Sequence, residues 1–161
     1  MSQIKHKITL NLILLFCIFS LFTEYFIQYV LKHQPCNLCL IERIPYIASI
    51  IIILICIFSK KFEKISLIIL SLIFFSAALI SFYHFGIEQG FIKESLVCNL
   101  SEESGYLSKK ALLKQLKVVP ISCKDVTFKI FGLSLATFNI FISLILGSIT
   151  IKKFLTYEKN R

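Results

Sequence analysis

Four long apolar segments, separated by short clusters of charged residues, restrict the possible folds of this chain more than any other feature. They cover roughly residues 8–30, 44–58, 65–85 and 130–151. A transmembrane helix needs about 20 predominantly apolar residues. A hydrophobic content of 57% and a mean hydropathy of +0.81 exclude an ordinary soluble domain. We therefore predict an all-α integral membrane four-helix bundle, with residues 1–161 forming a single domain.

The second apolar segment is too short to cross a membrane by itself. At 1.5 Å per residue, residues 44–58 form a helix of about 22 Å, whereas the hydrocarbon core is about 30 Å thick. The helix is therefore predicted to begin near Cys36, which extends this span to about 36–58. This extension places Cys36 and Cys39 at a membrane surface. The other spans keep their ranges of about 8–30, 65–85 and 130–151.

The distribution of basic residues predicts which side of the membrane each loop occupies. Both termini and the loop 59–64 share one side, while 31–43 and 86–129 lie opposite. Basic residues divide evenly, but on the side of the termini they crowd close to the span ends, as is typical of cytoplasmic loops. Both termini are therefore predicted to be cytoplasmic, with a long periplasmic loop over about 86–129. This topology explains the net charge of +9, and we expect no nucleic acid partner.

Cysteine usage supports the same orientation. Disulfides persist in oxidising compartments, and four cysteines fall on the predicted outer side: Cys36, Cys39, Cys98 and Cys123. Cys17 and Cys56 lie within spans instead, where a cysteine acts as a small hydrophobic residue.

Cys36 and Cys39 form the motif with the densest chemistry. Pro35 suits the start of a helix, and a Cys-x-x-Cys motif at a helix N-terminus lies in the positive end of the dipole, which favours the thiolate. Arg43 follows within two turns and is predicted to favour an anion on the same helix face. A plain structural disulfide and half of a zinc site are the alternatives. We predict a redox pair and no metal, since the histidines are scattered along the sequence.

The predicted periplasmic loop carries an amphipathic pattern over 108–119, with leucine and valine on one face and lysine largely on the other. This pattern is typical of a short interfacial helix bound to membrane lipid, and a solvated basic helix is the alternative. Cys98 and Cys123 flank it and are predicted to be exposed. They suit either an exchangeable disulfide or a stabilising bridge, and four outer cysteines allow three pairings.

Taken in order along the chain, these motifs resemble the DsbB family of disulfide bond formation proteins. Total absence of tryptophan is the chief departure, because the family commonly has this residue before the position of Phe131. The matching features are Pro35-Cys36-Asn37-Leu38-Cys39 with Arg43, Tyr83-His84-Phe85-Gly86-Ile87-Glu88-Gln89-Gly90, Cys98, Cys123 with Asp125, and Phe131-Gly132-Leu133-Ser134-Leu135-Ala136 with Asn139.

The resemblance implies an enzyme of the bacterial inner membrane. Such a thiol oxidase reoxidises a periplasmic DsbA-like dithiol oxidase by thiol–disulfide exchange and passes the electrons to membrane quinone, either ubiquinone or menaquinone. It implies that the partner attacks a disulfide between Cys98 and Cys123. The electrons then pass to Cys36 and Cys39, and Cys39 delivers them to a quinone bound near Arg43.

Polar residues near the outer ends of two spans are further candidates for the site. His84 and Glu88 lie one helical turn apart and are predicted to assist quinone binding or proton movement. Glu24 and Gln28 are likewise one turn apart and are candidates to face the bundle near Cys36. The rival interpretation of the whole chain is a structural membrane protein stabilised by periplasmic disulfides.

Overall fold

The computed structural model is mostly helical and describes residues 2–58, 63–93, 98, 122–124, 129–130 and 132–159. Helices long and apolar enough to cross a membrane cover Ile8–Tyr29, Asn37–Phe58, Lys64–Glu88 and Leu135–Thr156. The prediction of four helices long and apolar enough to span a membrane is confirmed. The predicted interfacial helix at 108–119 lies outside the described residues. In chain order the elements are α1 (Ser2–Tyr29), α2 (Asn37–Ile41), α3 (Arg43–Phe58), α4 (Glu63–Glu88), β1 (Lys129–Ile130), β2 (Leu133–Ser134) and α5 (Leu135–Lys159).

Much of the outer surface of the bundle is apolar. On α1, Phe19 is 64% exposed and Phe22 is 66% exposed, and large aliphatic side chains on the other spans are similarly uncovered. A soluble domain rarely exposes so much contiguous apolar surface. In a bilayer these side chains contact lipid tails, while the helices satisfy their own backbone hydrogen bonds.

Small side chains line the contacts between the helices. Helix α4 packs against both α3 and α5, and α1 packs against α3. Ser49, Ser81 and Ser143 are completely buried, and small residues of this kind allow helix backbones to approach closely within a membrane. Cys17 and Cys56 are buried in the same apolar core, in agreement with their predicted packing roles.

The second span is interrupted one turn after it begins. Cys36 caps α2 at its N-terminus, where its Sγ accepts a hydrogen bond from the backbone N–H of Cys39 at 3.2 Å. Glu42 forms a turn between α2 and α3, and its N–H donates to the carbonyl of Leu38 at 3.0 Å. The helix therefore begins directly after Cys36, and the turn directs the Glu42 side chain into the bundle, where it is buried.

The chain was predicted to be all-α, but a short β-hairpin precedes the last span. Strands β1 and β2 pair antiparallel, with Ile130 opposite Leu133. Gly132 has a φ of +82°, a left-handed conformation that glycine adopts without strain. Ser134 then accepts a hydrogen bond from the N–H of Thr137 at 3.3 Å, as an N-cap residue does. The last span consequently begins at Leu135 rather than near residue 130.

Candidate active site

The inner cysteine pair lies at the first turn of the second span. Cys36 is buried and Cys39 is half-buried, and both are free thiols. The Cys39 N–H that donates to the Cys36 sulfur belongs to the first turn of the helix, where backbone donors have no intrahelical partner. The local fold therefore places a hydrogen-bond donor where negative charge on Cys36 would be stabilised.

The outer pair forms a disulfide next to the inner pair. Cys98 and Cys123 are bridged, with their Cα atoms 6.0 Å apart. Both belong to one apolar cluster with Cys36 and Ile87, and the Asn37 side chain donates to the Cys98 carbonyl at 3.3 Å. The prediction that these cysteines are exposed is wrong for this structure, since each is only 2% exposed as a result of this packing.

His84 reaches the inner pair from α4, although it is 48 positions from Cys36 in the sequence. Its Nε2 lies 3.5 Å from the Cys36 Sγ, and its Nδ1 lies 2.9 Å from Oε1 of Glu42. Oε1 of Glu88, one helical turn further on, is 3.6 Å from Nε2. His84 is thus a buried base in direct contact with a thiol of the pair.

The surroundings of Cys36 favour its thiolate. A hydrogen bond from the Cys39 side chain is the largest cause that lowers the pKa of the Cys36 thiol, and the His84 ring lowers it further. Burial opposes both effects, and the pKa falls to about 5. Because the thiolate is the nucleophile in disulfide exchange, the environment favours a reactive Cys36 at neutral pH.

Arg43 is anchored to the first span. Its Nε lies 3.0 Å from Oε2 of Glu24, and its Nη1 donates to Oε1 of Gln28 at 2.7 Å. The guanidinium also lies 4.9 Å from the centre of the Tyr25 ring, within the range of a cation–π contact. Sequence spacing predicted that Arg43 would favour an anion at the sulfurs. The basic side chain that the structure shows in contact with Cys36 is His84.

A cavity of about 340 Å³ connects these groups. Its volume falls within the range of small-molecule sites, about 300–1,000 Å³. Side chains of α1 and α5 form apolar walls, among them Phe16, Phe19 and Phe138. Its polar lining includes Cys39, Arg43 and His84. Glu24 and Gln28 also line it, in agreement with the prediction that they face the bundle near Cys36. An apolar cavity with a few convergent polar groups suits a small lipophilic ligand.

A buried hydrogen-bond network behind His84 was not found from the sequence. Asn139 donates from Nδ2 to Oε2 of Glu42 at 3.0 Å and to the Ser81 hydroxyl at 2.8 Å. The Tyr46 hydroxyl donates to Oδ1 of Asn139. The available signal was polarity alone, because an ionisable or amide side chain inside an apolar span marks a functional site by default.

The sulfurs of Cys36 and Cys39 and one ring nitrogen of His84 lie within 4.8 Å of one another. Structural zinc sites hold four protein ligands and catalytic ones three, and this group of described residues offers three. The same atoms also form a thiol pair next to a base.

The sequence is similar to a known protein family and to a protein from another organism. The family model for the disulfide bond formation protein DsbB matches residues 6–152. An uncharacterised protein of Rickettsia prowazekii (strain Madrid E) is 31% identical over 145 residues, which cover 88% of this chain and 84% of that protein. No solved structure matches the chain significantly. With four apolar helices long enough to span a membrane and a family match over nearly its whole length, the chain belongs to the DsbB family of membrane disulfide bond formation proteins.

Proposed function

We propose that this protein reoxidises a periplasmic DsbA-like dithiol oxidase and passes the electrons to quinone in the bacterial inner membrane. One observation carries the proposal: residues of both cysteine pairs, Cys36 and Cys39 with Cys123, line the same cavity as Arg43. Substrate thiols and a lipophilic electron acceptor would therefore act at two ends of one site.

The proposed electron path consists of balanced exchange steps. A partner dithiol reduces the Cys98–Cys123 disulfide and is itself oxidised to a disulfide. The two new thiols then reduce a disulfide between Cys36 and Cys39. The packing of both pairs in one apolar cluster supports direct exchange between them.

The cavity residues fit a quinone. A bound quinone accepts two electrons and two protons and becomes a quinol. Phe16, Phe19 and Phe138 supply apolar surface for a ring and an isoprenoid chain, while Arg43 and His84 supply polar groups at the same cavity. Glu24 and Gln28 hold the Arg43 guanidinium in place, so its charge is oriented before a ligand binds. Quinone type, ubiquinone or menaquinone, is left open by these contacts.

The proposed orientation follows from charge and redox compartment. Both termini are placed in the cytoplasm, in line with the crowding of basic residues near the span ends. All four redox cysteines then lie at the periplasmic end of the bundle, on the side of the membrane where disulfides persist. The rival proposal, a structural protein stabilised by periplasmic disulfides, does not account for the contact between Cys36 and a buried histidine.

Trapping the partner tests the substrate end of the proposal. In a Cys123→Ser variant, the Cys98 thiolate has no internal partner and can attack the disulfide of an oxidised DsbA-like oxidase. That S–S bond breaks, a disulfide forms between Cys98 and the partner, and the partner's second cysteine is released as a thiol. Alkylation of this thiol on quenching prevents the reverse step, so we expect the mixed disulfide to accumulate. The adduct is measured by non-reducing electrophoresis and mass spectrometry. A Cys123→Ser variant that also carries Cys56→Ala, a change in the bundle core, should form the same adduct. Adding Cys98→Ser instead should abolish it, and failure of Cys123→Ser to form any adduct would refute the proposed exchange.

A further inference from the structure

A carboxylate lies at the centre of the buried network that joins the second, third and fourth spans. Glu42 is only 7% exposed. Its Oε1 faces Nδ1 of His84 at 2.9 Å, and its Oε2 accepts a hydrogen bond from Asn139 at 3.0 Å. Asn139 is in turn held by Ser81 and Tyr46. Both carboxylate oxygens are therefore fixed by side chains of other helices.

Burial of this carboxylate carries a free-energy cost. Burying a charged carboxylate carries a large desolvation penalty, and apolar side chains of similar volume often stabilise a fold equally well. Ionisable residues within a membrane bundle accordingly tend to be functional. The two side chains that Glu42 contacts have different further partners. Asn139 accepts a hydrogen bond from Ser143 in the bundle core, whereas His84 contacts Cys36 of the redox pair.

The chemistry of the contact selects one form of the imidazole. An ionised carboxylate only accepts hydrogen bonds, so the His84 Nδ1 that faces Glu42 carries the hydrogen. The neutral ring then presents an unprotonated Nε2 to the Cys36 sulfur 3.5 Å away. Nucleophile, base and orienting carboxylate stand in the order that recurs in activated-nucleophile sites.

We infer that Glu42 is a positioning residue that acts through His84: it fixes the tautomer whose Nε2 removes the proton from the Cys36 thiol. This inference rests on the proposed function in taking Cys36 as a redox-active thiol. In the step, the S–H bond of Cys36 breaks and an N–H bond forms on His84, with no change in electron count. The product is a thiolate beside an imidazolium that Glu42 neutralises.

The proton on His84 also has a place in the overall balance. Oxidation of Cys36 and Cys39 to a disulfide releases two electrons and two protons. The proposed quinone acceptor takes up both of each when it becomes a quinol. His84 holds one of these protons at the cavity wall.

Other titratable groups around His84 do not replace Glu42. Glu88 approaches Nε2, the same nitrogen that faces Cys36, so it competes with the thiol and does not select the tautomer. Cys39 lies on the sulfur side, and Arg43 is paired with Glu24 on the first span. Tyr46 contacts Asn139 rather than the imidazole. Among the described residues, the contact at Nδ1 is made by Glu42.

The test is the pH dependence of Cys36 alkylation in the reduced full-length protein, with no quinone and no partner present. Iodoacetamide reacts with the thiolate, and mass spectrometry of the Cys36 peptide gives the rate at each pH. The expected wild-type midpoint lies well below that of an ordinary thiol, because the Cys39 and His84 side chains lower the pKa of Cys36. Glu42→Gln keeps the size of the side chain but removes its charge. We expect it to raise the midpoint by at least about one pH unit, which is a tenfold change in the thiol–thiolate equilibrium.

Two further variants separate positioning from general damage. His84→Gln should raise the midpoint at least as much, and the Glu42→Gln/His84→Gln double variant should equal His84→Gln alone, because Glu42 acts only through His84. Cys56→Ala changes a buried side chain in the bundle core, in a different apolar cluster from Cys36, so its midpoint should match the wild type. An unchanged midpoint in Glu42→Gln, or a further shift in the double variant, would overturn the inference.

A measurement on the wild-type protein keeps the inference testable if Glu42→Gln fails to fold. In protein labelled with ¹⁵N-histidine, the His84 resonances should show a protonated Nδ1 at every pH and an Nε2 that titrates. A neutral ring with the hydrogen on Nε2 and none on Nδ1 would contradict the proposal. Because neither experiment contains quinone, a negative result leaves the proposed quinone reduction standing. An absence of quinone reduction with normal Cys36 titration would instead count against the proposed function alone.

Discussion

A Cys39→Ser variant should reduce quinone at least about a thousandfold more slowly than the wild type, as expected when a residue that forms the reacting bond is removed. Serine cannot form the disulfide through which two electrons leave the inner pair. The rate is measured without oxygen, from the absorbance of added quinone with a reduced DsbA-like oxidase as the electron source. Cys56→Ala provides the control, because Cys56 is also a buried cysteine but packs in the bundle core, and the turnover of this variant should stay near the wild-type value.

The same variant should retain one partial reaction. Its Cys98–Cys123 disulfide is untouched, so a single equivalent of partner should still be oxidised before turnover stops. If one equivalent of partner is oxidised rapidly and no quinone is reduced, the blocked step is the one that follows reduction of the Cys98–Cys123 disulfide. Continued turnover at the wild-type rate would mean that electrons reach quinone without Cys39.

The second large effect is expected from Arg43→Met, which keeps an extended apolar stem but removes the guanidinium. A hydrogen bond to a charged group contributes about 1.5–3 kcal/mol, so the KM for quinone should rise between about tenfold and a hundredfold. The rise is measured from initial rates over a range of quinone concentrations. Exchange with the soluble partner should change little, because the outer disulfide is formed by other residues.

Arg43→Lys provides the matched comparison. It keeps the positive charge but loses the planar group that contacts Glu24 through Nε and Gln28 through Nη1. Its KM should lie between those of the wild type and Arg43→Met. An Arg43→Met enzyme with unchanged KM and a lowered kcat would indicate that Arg43 supports the bundle instead of binding the acceptor.

The four spans could be predicted because span length and apolar content are local properties. The start of the last span could not be predicted from hydropathy, since Ile130 and Leu133 are as apolar as the span that follows. The helix begins only after Gly132 has turned the chain and Ser134 has capped the first turn. The local signal in the sequence was Ser134, because serine is a preferred residue at the N-cap of a helix.

In the candidate site, too, the local motif could be predicted from the sequence and the long-range contacts could not. Cys36, Cys39 and Arg43 form one short motif and could be found by spacing alone. The contact between Glu42 and Asn139 joins positions 97 residues apart, and periodicity does not reveal which polar side chains meet across a bundle. The turn at Glu42 also matters, because spacing on an uninterrupted helix predicted Arg43 beside the sulfurs. The structure instead pairs Arg43 with the first span and places His84 at Cys36.

The burial of the outer disulfide was also beyond sequence reasoning. Cys98 and Cys123 flank the predicted interfacial helix, which suggested that they are exposed, yet they pack in one cluster with Leu38 and Ile87. This packing brings the outer pair to the inner pair. Exchange between the pairs is therefore favoured by proximity, which converts a bimolecular step into an intramolecular one.

A single-turnover reaction tests the central claim most directly. The fully reduced protein is mixed with one equivalent of quinone in the absence of oxygen, quinol is measured, and mass spectrometry locates the oxidised cysteines. We expect one quinol for each disulfide formed, with Cys36 and Cys39 oxidised first. Quinone that stays oxidised in the presence of reduced Cys36 and Cys39 would contradict the proposed electron path.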